Sequence, residues 1–296
     1  MEFRPLTLAD QELFEHYARG SRQSESSFAN LYIWQHNSDT QIAEEDGAMF
    51  VLFRSGSRYA MLPPFTVDRK APIAPHMRAA ERFMLDQFGS FHMKCATDET
   101  VRRISWEMPG RYRFPYDRDN SDYVYNTEDL LELPGKRYHG KRNHISAFLR
   151  AHSPVLADYT PEYRDACLLM QDDWARTGQD DPMEADEEYI SILKALDDYE
   201  TLGLRGMVVL LDGQVAAFTF GEQLTDDTVL IHIEKAQRDV NGMFPYINQA
   251  FLKRNWSGSR YVNREEDMGI PGMRKAKESY HPAFLVDKFD VVLGDR

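Results

Sequence analysis

One plan is written twice along this chain. Residues 2–7 alternate like a short strand and 8–19 carry helical spacing, with Thr7 and Asp10 set apart as at a helix start. Residues 154–160 and 161–175 repeat this, now with Pro161 at the first helical position. Each half then shows a hairpin. In the first, 48–53 and 58–62 flank Ser55-Gly56; in the second, 206–211 and 215–220 flank Asp212-Gly213. A helix follows in each half, at 75–88 and 242–255. The second half closes with a strand at 260–263, a short helix at 272–280 and a strand at 284–293. The order β-α-α-β-β-β-α-β-α-β predicts an α/β fold: a mixed sheet with helices on both faces, built twice. The expected domains are 1–135 and 153–296, each of ordinary size.

Between them, 136–152 has no strand pattern, and Ile145, Phe148 and Leu149 fall at helical spacing. Lys136, Arg137, Lys141, Arg142 and Arg150 make this expected connecting helix basic. The chain as a whole is acidic, with net charge −13. That excludes general DNA binding but leaves a local basic patch able to grip phosphates. The acid-rich run 172–200 reads as a solvated helix face. No apolar run approaches the roughly 20 residues of a membrane helix. The first residues lack a signal pattern. Cys95 and Cys167 have neither a disulfide framework nor metal-site spacing. A cytoplasmic protein without a metal is expected.

The chemistry is concentrated at 232–251. An apolar strand, 228–233, ends at Glu234 and passes through a polar loop and Gly242 into a helix. A carboxylate at a strand end beside a helix N-terminus can accept a proton where an anion is held. Alternation sets His232 and Glu234 opposite Ile231 and Ile233, so Glu234 faces a cleft if the isoleucines face the core. Two readings stand for Glu234: general base, or member of an ordinary ion pair. His232 reads rather as a satisfied structural histidine. Asn241-Gly242 is equally well a plain turn.

The β/α order resembles the Gcn5-related N-acetyltransferase (GNAT) fold, present twice. It is more similar still to a bacterial DUF2156-type family, resembling the soluble C-terminal part of phosphatidylglycerol lysyltransferases. The residues that carry this are Ser24-Glu-Ser-Ser-Phe28 with Asn30-Leu-Tyr-Ile-Trp34; Asp122-Tyr-Val-Tyr125; Leu133-Pro-Gly-Lys136 with Lys141-Arg-Asn143; His232-Ile-Glu-Lys235; and Asn263-Arg-Glu-Glu-Asp-Met-Gly269 with Arg274-Lys-Ala-Lys277 and Tyr280.

The resemblance implies transfer of an acyl or aminoacyl group to an amine or hydroxyl of a small-molecule or peptide acceptor. The donor would be acetyl-coenzyme A or an aminoacyl-tRNA. In acetyltransferases of this fold, a Gln/Arg-x-x-Gly-x-Gly/Ala loop cradles the pyrophosphate. Here Gln237-Arg-Asp-Val-Asn-Gly-Met243 stands in its place, with Met243 where a small residue belongs and Asp239 adding charge of the wrong sign. Acetyl-coenzyme A binding is therefore expected to be weak. By the same resemblance Tyr280 would be the leaving-group acid, with core packing as the alternative role. Lys235, Arg238, Gly242, Arg274, Lys275 and Lys277, with Lys141 and Arg142, would hold the donor. His232, Asn263, Arg264 and Glu266 would hold the acceptor. The first half has no His-Ile-Glu-Lys; its proline-broken 60–65 is expected to be structural or to complete the acceptor site. A second class of function remains open: a binding protein that kept the fold and lost the donor site.

Overall fold

Two mixed sheets organise the chain, and each takes one strand from the opposite half of the sequence. The computed structural model describes residues 1–177 and 182–294. Thr7 N–H donates to Asp10 Oδ2 at 2.8 Å, which closes the helix start foreseen from their spacing. The first elements are β1 (Arg4–Pro5), α1 (Gln11–Ala18), α2 (Phe28–Ser38), β2 (Gln41–Glu45), β3 (Ala48–Ser55), β4 (Arg58–Met61), β5 (Phe65–Thr66), α3 (Ala74–Phe88), β6 (His92–Thr97), α4 (Asp98–Glu107), β7 (Tyr112–Arg113) and β8 (Asp122–Asn126). Then come α5 (Thr127–Glu132), α6 (His139–Ala151), β9 (Val155–Asp158), α7 (Arg164–Thr177), α8 (Pro182–Asp197), β10 (Arg205–Leu211), β11 (Gln214–Thr225), β12 (Thr228–Ala236), α9 (Met243–Asn255), β13 (Tyr261–Asn263), α10 (Pro271–Glu278), β14 (Phe284–Val286) and β15 (Lys288–Leu293).

One sheet runs β1-β2-β3-β4-β6-β15-β7, with β5 on β3; the other runs β14-β8-β13-β12-β11-β10-β9. Read from β1 and from β9, they follow one plan. Antiparallel strands lead to a single parallel pair, β4 with β6 and β12 with β13. The next strand is then supplied by the other half: β15 in the first sheet, β8 in the second. This corrects two expectations. The run 284–293 is two strands in two sheets: Asp287 separates them, and Lys288 already opens β15 in the other sheet. Tyr116 Oη donates to Asp287, and the Lys288 N–H donates to Ser121 Oγ. The hairpin at 48–62 is the counterpart of β11–β12, not of 207–220. The strand β2, with Glu44 and Glu45 in five residues, lacks the apolar alternation that marks a strand and shifts the count by one.

The chain divides into two compact units: Met1–Tyr123 with Glu266–Lys275 and the described part of Leu285–Arg296, and Val124–Glu265 with Ala276–Phe284. The basic segment expected as a connector is the helix α6, inside the second unit. In the first unit Phe50, Met77, Met84, Met93, Ile104 and Val291 form the core. In the second, β12 is buried nearly throughout and β10 and β11 along their central stretches, with Val208, Phe218 and Phe220, and Phe251 of α9 against them, at 1% exposure or less. A sheet covered on both faces explains why β12 reads as one continuous apolar run. Asp180 and Asp181 of the acidic run lie outside the described residues. No described helix is long and apolar enough to cross a membrane.

Candidate functional site

The strand β12 outruns its parallel partner. Its pairing with β13 covers only Thr228–Leu230 against Tyr261–Asn263, so residues 231–236 continue beyond the end of β13. On its other side β12 stays paired with β11 up to Ala236, with a bulge at Phe220/Gly221. A Cβ on Gly221 would lie 2.5 Å from Leu230 O, so only glycine allows this approach. Glu234 sits on the freed part. Its Oε1 accepts from Arg264 Nη2 at 2.8 Å and its Oε2 from Asn248 Nδ2 of α9, also at 2.8 Å. The ion pair weighed for Glu234 thus exists, with Arg264 as partner. Lys235 points to the opposite face, as alternation requires, and pairs with Glu188 of α8 at 2.5 Å. The acidic run therefore supplies a buried lysine with its counter-ion.

Around Arg264 the second unit gathers a polar cluster. The guanidinium carbon lies 4.8 Å from the Tyr280 ring centroid and 5.8 Å from that of Tyr125. Lys277 Nζ donates to Arg264 O, and Tyr125 Oη donates to Lys277 O at 2.9 Å. Lys141, from α6, brings its Nζ to 3.4 Å above the Tyr280 ring and donates to Ser279 Oγ at 2.8 Å. Burial and the neighbouring Arg264 lower the Lys141 amine to about 8, against the pull of Glu234. Burial raises the Tyr280 phenol well above its usual range despite Arg264, so it stays protonated. Arg264 Nη1 is buried and has no hydrogen-bond partner among the described residues. The sequence reading named Glu234, Arg264, Tyr280, Lys141 and Lys277, and the fold brings these together. It missed Asn248, Tyr125 and Ser279. Asn248 lay in plain view at helical spacing on the face of α9 that meets β12.

The start of α9 is not an open anion seat. Gly242, its N-cap, has φ +88°, and a Cβ there would lie 2.3 Å from His144 O of α6. The glycine is thus explained by close approach of two chain segments. The Met243 N–H donates to Val240 O, and Pro245 has no N–H, which removes two of the first three donors from any anion. Met243 itself is fully buried.

Other expected site residues are occupied elsewhere. His232, its side chain wholly buried, lies between Glu222 (2.9 Å) and Glu265 (3.0 Å). Burial opposes its charge, but the two carboxylates prevail and raise it to about 9. Asn263 Oδ1 accepts the Glu265 N–H at 2.7 Å and fixes that residue at φ 57°. Arg142 donates to the carbonyls of Leu133 and Gly135. Arg238 is exposed on the loop before α9. Arg274, Lys275 and Glu266 belong to the first unit. There Arg274 Nε and Nη2 donate to buried Asp267, each at 2.8 Å, and Nη2 also donates to Asp119. A cavity of about 510 Å³ lies in the second unit, lined by Arg205, Gln223, Asp226 and Trp256 among others, and none of the expected site residues lines it.

The first unit holds a buried ionic cluster that the sequence showed only as scattered motifs. Lys288, with no exposed side-chain surface, donates to Asp122 and Glu25, both at 2.6 Å, and to Ser24 Oγ at 3.1 Å. The Asp122 carboxylate also accepts the Ser24 N–H at 2.8 Å. The runs beginning Ser24-Glu25 and Asp122-Tyr123 thus meet on one lysine from β15.

Comparison with known proteins follows this geometry. A conserved protein of unknown function from Bacteroides thetaiotaomicron is 30% identical, with 99% of each chain covered and a TM-score of 0.91. L-PGS from Bacillus licheniformis is 14% identical, covering 94% of this chain and 95% of its own, with a TM-score of 0.60. A tandem GNAT protein from the clavulanic acid biosynthesis pathway is 13% identical, covering 100% of this chain and 99% of its own, with a TM-score of 0.53. The last two show that the fold is the tandem GNAT fold. The model of the family described as phosphatidylglycerol lysyltransferase, C-terminal, matches residues 18–292, nearly the whole length, and the chain belongs to that family.

Proposed function

We propose that the second unit transfers an aminoacyl group to an amine or hydroxyl of a small-molecule or peptide acceptor, with aminoacyl-tRNA as donor. The observation that carries this is the Glu234 carboxylate on the freed length of β12, oriented by Arg264 and Asn248 with Tyr280 beside it. A carboxylate has about four lone-pair sites, and two hydrogen bonds leave room for a proton. In this reading Glu234 takes the proton of the attacking amine or hydroxyl as the new bond to the acyl carbon forms. The ester bond to the tRNA breaks, and its oxygen takes the Tyr280 proton. The choice of donor is supported by α9, whose closed N-terminus offers little to a pyrophosphate. Lys141 and Lys277 are the cations nearest the cluster.

Filter binding of total charged tRNA, beside calorimetry with acetyl-coenzyme A, tests the donor. Retention of charged tRNA is expected, with coenzyme binding weaker than micromolar. Acetyl-coenzyme A binding at about −8 kcal/mol without tRNA retention would reverse the assignment. In a transfer assay Glu234→Gln should lower turnover by roughly 10²–10⁴-fold with folding unchanged. A second reading, a binding protein without catalysis, is favoured by the engagement of both Glu234 oxygens. It gains if charged tRNA is retained but never discharged in the presence of a cell's small-molecule fraction.

A further inference from the structure

We propose that Arg264 Nη1 and Lys141 Nζ form a seat for a ligand oxyanion beside the Tyr280 ring. Three observations lead there. Arg264 Nη1 is buried without a hydrogen bond of good geometry among the described residues, with the Tyr280 hydroxyl beside the same guanidinium, while Nη2 is held by Glu234. A guanidinium is rigid and planar, so clamping one nitrogen fixes the direction of the other. Burying an ionised donor unpaired is unfavourable, and folded chains retain such groups mainly where something else meets them. Second, Lys141 Nζ stands over the same ring that flanks the guanidinium, donating to Ser279. Third, Arg264 and Lys141 stand together beside the Glu234 carboxylate in a partly dry place, two cations on one ring.

The ligand class is an oxygen atom bearing full or developing negative charge, from a phosphate or a carboxylate. If the proposed transfer reaction is right, the same seat receives the oxygen of the acyl carbonyl as charge builds on it during attack. That use rests on the proposed function; the seat itself does not.

The charge of the seat depends on pH. The groups facing Lys141 are Ser279 and Tyr280 beyond α10, Arg264 beyond β13 and Glu234 on β12. The amine titrates near 8, so the seat is doubly cationic below that pH and loses one charge above it. A bound anion favours the protonated amine and must raise its midpoint.

The test uses protein carrying ¹³C-labelled lysine, titrated with inorganic phosphate and, separately, with acetate, whose charge is constant from neutral pH upward. The Lys141 side-chain signal should saturate, and its titration midpoint should move upward with anion present. Lys141→Met should weaken binding by about tenfold or more, 1.4 kcal/mol per decade. Acetate should bind more weakly at about pH 10 than at pH 7. The tighter of the two anions identifies the source of the charge. Equal affinity in the Lys141→Met protein, or no saturation before general salt screening sets in, overturns the seat. Should that variant fail to fold, an unmoved Lys141 midpoint in the wild-type protein is equally fatal. Anion binding without aminoacyl transfer keeps the seat and removes the proposed function; transfer without anion binding does the reverse.

Discussion

Protonating one carboxylate should loosen the first unit. Asp267 is wholly buried and accepts from Arg274, Tyr123 and the Gly269 N–H. Burial works against its ionised form, but these donors outweigh it and hold its pKa far below the usual carboxylate value. A depressed carboxylate contributes stability above its unfolded pKa of about 4 and loses it as pH falls through the folded value. Asp267→Asn should therefore destabilise at neutral pH by about 3 kcal/mol, with the difference shrinking in acid. Urea unfolding at several pH values measures this. His232 runs the other way. Its pKa is raised to about 9, so its contribution is complete below about 6.5 and is lost as pH rises through 9. Nitrogen NMR should find both ring nitrogens protonated at about pH 7.5, where an ordinary imidazole, with a pKa of about 6.5, is mostly neutral. A neutral tautomer there would contradict the Glu222–His232–Glu265 bridge. Residue by residue, the sequence showed which polar side chains stand at element ends but not their partners. Glu234 was legible as a strand-end acid, whereas Arg264 as its clamp depends on where β13 ends. Arg274 looked like a phosphate ligand because the folding back of Asp267, seven residues before it, has no periodic signal.

At the scale of elements, the junction of α6 with α9 is the most tightly constrained. Gly242→Ala places a methyl group against the His144 carbonyl and puts an L-residue at φ +88°. A loss of about 2–3 kcal/mol is expected in denaturant unfolding, with α9 shifted rather than unfolded. A neutral substitution would show that α6 can yield there. The strands and helices with strong alternation or helical spacing were legible, including the hairpin turn at Asp212-Gly213 and the basic helix α6. The strand β2 was not, because its charged end faces outward and leaves too few apolar positions to count. The break between β14 and β15 was hidden for a different reason. Both pieces are mostly apolar, and the single residue between them, Asp287, is all that marks where the chain changes sheet.

For the whole molecule, two sheets of matching plan were legible, but their exchange of strands was not. Periodicity reports that a strand exists and is silent about which sheet receives it. Residues 1–135 contain every strand of the first sheet except β15, which lies between β6 and β7. That fragment should be poorly folded alone, exposing β6, and should recover cooperative unfolding when co-expressed with 136–296. Circular dichroism of the fragment and of the pair decides. A stable, cooperative 1–135 would mean that β15 is dispensable.

Strand exchange also sets a clock. Lys288 is the counter-ion of Asp122 and Glu25, and β15 completes the first sheet. Neither is available until those residues have left the ribosome. At 5–20 residues per second, roughly 10–30 s separate synthesis of β8 from that of β15. Throughout that interval the nascent first half carries two unpaired carboxylates and an open sheet edge. A premature stop that removes only β15 would leave it so permanently, a product that chaperones and proteases would meet as unfinished.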